Sequence, residues 1–441
     1  MSVPIARSAN VRRLVALATL AAASVPLVAV SATKGPATEL VSVSTGGASG
    51  SNHSKSPAIS ATGRFVAFES TADDLVPGDT NGRTDVFVRD RKTGTTTRVS
   101  VAGDGSQVAE GGYAPSISAN GRYVAFMSTD MAIVPGKTSN RPDVIVRDLK
   151  TGKNTRASVD SDGNETDGTA YQPRLSANGR RVAFGSDATN LVPGDTNGLY
   201  DIFVHDVKTG STVRVSVDSE GNQQTASGET HAISASGRFV AFSSAAANLA
   251  AGDTNGQADI FVHDMKTRRT TRVSTNSDGG EADAACYAPS ISTNGRWVSF
   301  ESSASNLVPI DFLSLDQVYL KDVKTGVTTR ISGFTVDSEG NGPSQSASMT
   351  PNGRFAVFSS RADNLVAGDT NSEYDIYLYD VRRGVLARVS VDSDGLQAEG
   401  DDSYESAMSA DGRLVAFSSG ATNLAPGDAN DATDVFVRKL R

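Results

Sequence analysis

The chain has 441 residues, 38% of them hydrophobic and 21% charged, with 42 glycines and a formal net charge of −9 at neutral pH. An acidic balance of this kind disfavours nucleic acid and anionic membrane surfaces as partners. The single cysteine, Cys286, excludes an internal disulfide framework, so stability has to come from packing.

In chain order the first element is a leader. Arg7, Arg12 and Arg13 precede an apolar run from Leu14 to Val30, and Val30-Ser31-Ala32 places small residues at its last and third-last positions. This pattern predicts a signal peptide over 1–32, cleaved after Ala32, and a short linker over 33–37. An uncleaved membrane anchor is the alternative, against which Pro26 and the many alanines weigh. Cleavage removes three arginines and no acids, leaving 38 basic against 50 acidic residues, a net charge of −12. The expectation is a secreted or cell-envelope exterior protein, monomeric, with no stable membrane insertion once the leader is gone.

After the leader one segment keeps returning: Gly63-Arg64-Phe65-Val66-Ala67-Phe68 and its copies. The Gly-Arg pair falls at Gly63, Gly121, Gly179, Gly237, Gly295, Gly353 and Gly412, spaced 58 residues five times and 59 once. A tandem period of this size signals a solenoid, propeller or array. The second copy reads as four strands. Pro115 to Ser118 is a short apolar-polar segment, Ala119-Asn120-Gly121-Arg122 a tight turn, and Tyr123 to Phe126 a near-continuous apolar run suited to a strand covered on both faces. Asp143 to Asp148 follows a long loop as the third strand. Lys150-Thr151-Gly152 turns the chain into a fourth from Asn154 to Val159.

The chain ends support closure. The seventh copy stops after its third strand, Asp434-Val435-Phe436-Val437-Arg438, whereas Thr38 to Ser44 at the other end resembles the fourth strand of the first copy. A ring needs that exchange; an open solenoid gains nothing from it. The predicted fold is therefore all-β: a seven-bladed β-propeller over 38–441, built of four-stranded antiparallel blades and closed by the N-terminal strand 38–44 completing the last blade.

Two of the copies, Ser60-Ala61-Thr62-Gly63-Arg64 with Asp85-Val86-Phe87-Val88 and Thr350-Pro351-Asn352-Gly353-Arg354 with Asp375-Ile376-Tyr377-Leu378, carry a resemblance. They are similar to the WD-like β-propeller repeats of the TolB family. The resemblance covers about residues 38–441 and implies the propeller alone. No segment matches the separate N-terminal α/β domain of TolB, so partnership with a peptidoglycan-associated lipoprotein does not carry over.

Strand alternation puts the short, repetitive turns on one face of the disc and the long polar loops on the other, which is the expected functional face. Two motifs decorate it. Asp-Thr-Asn-Gly-x-x-Asp and its variants bring together Asp79, Asn81 and Asp85; Asp195, Asn197 and Asp201; Asp253, Asn255 and Asp259; Asp369, Asn371 and Asp375; and Asp428, Asn430 and Asp434. Oxygen ligands at alternating positions of a Gly-containing loop suit Ca2+, the one cofactor this chain suggests; side-chain turns that need no metal are the other reading. Copies two and five break the pattern, at Lys137 to Asp143 and Asp311 to Gln317. The second motif, [Asp/Asn]-Ser-[Asp/Glu]-Gly, starts at Asp160, Asp218, Asn276, Asp337 and Asp392 and reads as an Asx-supported turn.

The position eight residues before each turn glycine carries Lys55, Tyr113, Tyr171, Glu229, Tyr287, Gln345 and Tyr404. It immediately precedes the innermost strand, so these residues either ring the channel mouth, gripping a sugar or peptide by stacking and hydrogen bonds, or wedge between blades. No catalytic set is evident. There is no Gly-x-Ser-x-Gly elbow; His205 and His263 stand where Arg89 and Arg147 stand in other copies and read as surface substitutes; His53 and His231 are too scattered for a metal site; Cys286 packs. The expectation is an exported, non-catalytic binding or scaffold propeller for a glycan, cell-wall polymer or protein. The alternative is a secreted polysaccharide lyase or glycoside hydrolase using acidic loop residues.

Overall fold

The structure, a computed structural model, describes residues 36–228, 230–309, 313–333 and 339–440. The predicted leader, Glu229, Asp311 and Asp337 lie outside these residues. Seven four-stranded antiparallel sheets make up the fold. The first repeat contributes Ser54–Ile59, Phe65–Ser70, Asp85–Asp90 and Thr95–Arg98, innermost strand first. Six of the sheets follow this order along the chain. In the seventh, Ser403–Met408, Leu414–Ser419 and Asp434–Lys439 are completed by Ala37–Leu40.

The apolar runs of the second and third strands are explained by what they face. Val66, Ala67 and Phe68 are all fully buried, because alternate side chains point to opposite faces and both faces are covered. Phe68 and Phe87 pack with Val41, Ala416, Val435 and Val437 of the preceding sheet, whereas Ala67, Val86 and Val88 pack with Val124, Phe126 and Ile145 of the following one. There are seven such clusters, one at each junction between neighbouring sheets. The core is thus a set of radial layers.

Closure is made by backbone and side chain together. Ala37–Leu40 runs antiparallel to Asp434–Lys439, with Leu40 opposite Phe436. The regular strand is shorter than the predicted 38–44, yet the Val41 amide still donates to the Val435 carbonyl at 2.8 Å. The Ser42 hydroxyl donates to Asp434 Oδ1 at 2.5 Å and accepts from the Val435 amide at 2.9 Å. The same serine–aspartate clasp ties the outermost strand in every other described blade, for example Ser158 to Asp143 at 2.5 Å, with Gln317 replacing the aspartate opposite Ser332.

The periodic Gly-Arg owes its regularity to the blade junction. Each glycine has a positive φ, +72° at Gly121, and a Cβ there would lie 2.1 Å from Phe65 Cδ2 on the preceding blade. The large residue after each Gly-Arg fills the same role around the ring: Tyr123 against Gly179, Trp297 against Gly353, Phe355 against Gly412 and Leu414 against Gly63. The arginine holds that large residue from the other side. Arg64 lies 4.6 Å above the Phe65 ring while its guanidinium bonds both oxygens of Asp90, at 2.9 and 2.6 Å. Beside these contacts, turn amides donate to the next blade's turn carbonyl, from Ala61 to Ala119 at 2.9 Å and, closing the circle, from Ala410 to Ala61 at 3.0 Å.

These contacts separate two costs at a glycine. Gly136 also has a positive φ, +76°, but open space at its Cβ position. Gly136→Ala is expected to lose about 1 kcal/mol from backbone strain, and Gly121→Ala about 2–4 kcal/mol because the Phe65 ring must also move. Urea midpoints of the two variants decide it: equal shifts would mean the junction contact contributes nothing.

Candidate functional site

The innermost strands enclose a central cavity of about 460 Å3. Its wall is made of the three residues that follow each predicted mouth position, from 56–58 in the first blade to 405–407 in the last. A bulge causes this offset. Register shifts after Lys55, Tyr113, Tyr171, Tyr287, Gln345 and Tyr404, and the next residue takes a left-handed conformation at Ser56, Ala114, Gln172, Ala288, Ser346 and Glu405. The turned-out amide is received by the preceding blade. Ala114 donates to Glu69 Oε2 at 2.6 Å, Ser346 to Glu301 Oε1 at 2.5 Å, Ser56 to Glu405 Oε2 at 2.6 Å and Ala288 to the Thr230 hydroxyl at 3.0 Å. Three carboxylates around the cavity are therefore committed to backbone.

The predicted mouth residues sit at the rim, outside that wall. Lys55 pairs with Glu69 at 3.6 Å; the Tyr171 and Tyr200 rings lie 5.6 Å apart; the Tyr404 hydroxyl is 3.5 Å from that of Thr433. Tyr113 is half-buried, and burial with neighbouring Tyr171 and Glu69 raises its pKa. Tyr287 is 39% exposed, the most open of the rim tyrosines. Gln345 is the second residue of its strand, opposite Ser359.

Two cavity residues went unremarked as a pair in the sequence. Arg174 projects from the third blade where the others carry alanine or serine, such as Ala58 and Ser116. His231 replaces the proline found at Pro57, Pro115, Pro173 and Pro289, is buried, and neither ring nitrogen has a hydrogen-bond partner. Burial first, and then the Arg174 charge, push its pKa down to about 4, so it is neutral at pH 7.

The aspartate loops stand outside the cavity between the second and third strands. In four of the five, an arginine from the outermost strand fills the space between the two carboxylates. Arg98 lies 2.7 Å from Asp79 and 3.7 Å from Asp85; Arg214, 3.0 Å from Asp195 and 3.3 Å from Asp201. Arg272 faces Asp253 and Asp259 at 3.4 and 3.7 Å, and Arg388 faces Asp369 and Asp375, both at 3.3 Å. Asn81, Asn197 and Asn255 brace the loop by donating to the second aspartate, at 2.9, 3.2 and 3.0 Å; Asn371 donates to the Ala398 carbonyl at 3.1 Å. Burial raises the pKa of Asp79, Asp195 and Asp253, the last to about 6, and the arginine opposes that rise. In the second copy Lys137 stands in for the first aspartate and reaches Asp143 at 2.5 Å. A sequence signal for these arginines existed: each follows the first aspartate of its loop by the same interval, as Arg98 follows Asp79 and Arg214 follows Asp195. Asp428, Asn430 and Asp434 differ, as described below.

The second motif is an Asx turn: Asp160 Oδ1 accepts from the Asp162 and Asn164 amides at 2.9 and 2.8 Å, and Asp218, Asn276 and Asp392 repeat the arrangement. His205 and His263 require a correction. They are buried, not surface substitutes, at 3% and 5% exposure. Each Nδ1 lies 2.9 Å from a threonine hydroxyl, Thr212 or Thr270, in the covered third-to-fourth strand layer, where Arg89 instead reaches the Thr96 hydroxyl at 3.0 Å. His231 likewise lines the cavity, while His53 is exposed and accepts from the Thr433 amide at 3.0 Å. Cys286 packs as expected, with burial pushing its thiol pKa up to about 12.

No family model and no curated protein matches the chain. Among solved structures it is similar to an oligogalacturonate lyase in complex with manganese, at 11% identity over 92% of this chain and 96% of that one, with a TM-score of 0.54. The β-propeller domain of the Trilobed protease from Pyrococcus furiosus, which has an open velcro topology, is 12% identical over 88% of this chain and 95% of that one, at a TM-score of 0.52. TolB from Acinetobacter baumannii is 15% identical over 80% and 66%, at a TM-score of 0.42. At these identities the likeness to the first two shows the propeller fold alone. Among the described residues no helix is long and apolar enough to cross a membrane.

Glu301, which accepts from the Ser346 amide of the cavity wall, provides a pH test. Burial raises its pKa from 4.5 to about 7. Between those values the folded chain binds more protons than the unfolded chain, so this group's contribution to stability is lost as pH rises from about 4.5 through about 7. Relative to wild type, Glu301→Gln should gain on the order of 1–3 kcal/mol between pH 5 and pH 8, read from urea unfolding at each pH. A difference between the two proteins that stays constant with pH would show that Glu301 does not titrate in that window.

Proposed function

We propose that this is an exported, non-catalytic binding propeller whose long-loop face and central cavity receive a glycan or cell-wall polymer. The observation that carries the reading is the division of labour at the cavity. Glu69, Glu301 and Glu405 already accept from backbone amides, so they hold the blades together. What is left for a ligand is a rim with four tyrosines and, inside, the Arg174 guanidinium beside neutral His231. Tyrosine rings stack on the apolar faces of sugar rings while their hydroxyls bond sugar oxygens, and a guanidinium favours a carboxylated sugar. The polymer class favoured is therefore an anionic, uronate-bearing glycan.

The test is a binding panel of uronate-containing and neutral polysaccharides, read by thermal shift and affinity electrophoresis. Replacing Tyr171 and Tyr287 together with alanine is expected to weaken binding about tenfold while the protein still unfolds cooperatively. Arg174→Ala should weaken binding to uronate polymers and leave neutral ones unaffected. Release of new reducing ends or of unsaturated products would replace this reading with a lyase or hydrolase. Unfolding of the tyrosine variant would assign the rim to blade packing.

A further inference from the structure

The loop of the last blade, with Asp428, Asn430 and Asp434, is built like the other aspartate loops but lacks their cation. In the first blade Arg98 supplies it, from the position opposite Phe87 on the outermost strand. The matching position in the last blade is opposite Phe436, and the residue there is Leu40, contributed by the N-terminal strand. Leu40 is buried in the apolar layer and offers no charge.

The two carboxylates stand without that partner. Asp434 is fully buried; its Oδ1 accepts from Ser42, and its Oδ2, matching the Asp85 oxygen that faces Arg98, is buried with no hydrogen-bond partner. Asp428 Oδ1 is likewise buried and unpartnered. Neither carboxylate has an ion pair among the described residues, while every other aspartate loop has one. Two carboxylates with buried, unpartnered oxygens and no cation are poorly compensated. Gly427 corresponds to Gly78, Gly252 and Gly368, whose carbonyls accept from the arginine at 3.3, 3.0 and 2.9 Å. The Gly427 carbonyl is the corresponding oxygen in the last blade.

We propose that the last blade holds a calcium ion between Asp428 and Asp434, in the place that arginine occupies in its sister blades. All the donors are oxygens and two are anionic, which suits a hard divalent ion. The site lies beside the strand pairing that closes the ring, so the ion ties the N-terminal strand's blade together. This inference is independent of the ligand proposed for the cavity.

The test is calcium binding and thermal unfolding of the mature chain in EDTA and in millimolar Ca2+. Wild type should bind a single calcium ion per chain and unfold several degrees higher with it. Asp428→Asn should abolish both effects and, in EDTA, be at least as stable as wild type, since it relieves like-charge repulsion. Leu40→Arg, if it folds, should lose calcium binding by supplying the guanidinium internally; if it does not fold, Asp428→Asn decides alone. No calcium shift in wild type, a shift that survives Asp428→Asn, or an Asp428→Asn chain that is weaker in EDTA would each overturn the proposal.

Discussion

The structure depends on a bare glycine meeting a large side chain across each blade junction. A sheet of four short strands cannot cover both its faces, so each blade is stable only between two neighbours. The junction has to set their distance and angle seven times in the same way. The positive-φ glycine permits the approach, the ring of the preceding blade fills the space, and the arginine fixes that ring through cation–π contact and an aspartate pair. Where the filler is Leu414 or Arg181 the geometry persists without an aromatic ring, so volume is what the site requires.

Buried charge follows the same economy. Paired carboxylates occur in three places: beside the short turns with the Gly-Arg arginines, in the aspartate loops with outer-strand arginines, and around the cavity with bulged backbone amides. Outside the last blade's loop, each location pairs the acid with a partner from a different strand or blade, so the polar groups also report correct assembly. The left-handed residues at the cavity wall are strained, and neighbouring blades hold them so.

Much of this was legible from residue order. The spacing of Gly63 and its copies, the missing fourth strand after Arg438 and its match at Thr38 to Ser44 led directly to a closed ring. The site was less legible, for specific reasons. The bulge after Lys55 and its equivalents moves the cavity wall one residue along, and nothing in a six-residue strand announces that shift. Asp79 and Arg98 are on different strands, so their pairing depends on the sheet register even though their interval recurs. His205 looked exposed because it aligns with arginine, yet in this layer arginine itself is enclosed.

By itself the sequence determined the number of blades, their strand order and the way the ring is sealed, because period and alternation are local properties that any copy repeats. Tertiary structure alone decided which charges meet. Leu40 is unremarkable in the chain and becomes informative only opposite Phe436, where four sister blades supply the rule that it breaks. Ion pairing depends on distances between residues far apart in sequence, and those distances exist only once the ring has closed.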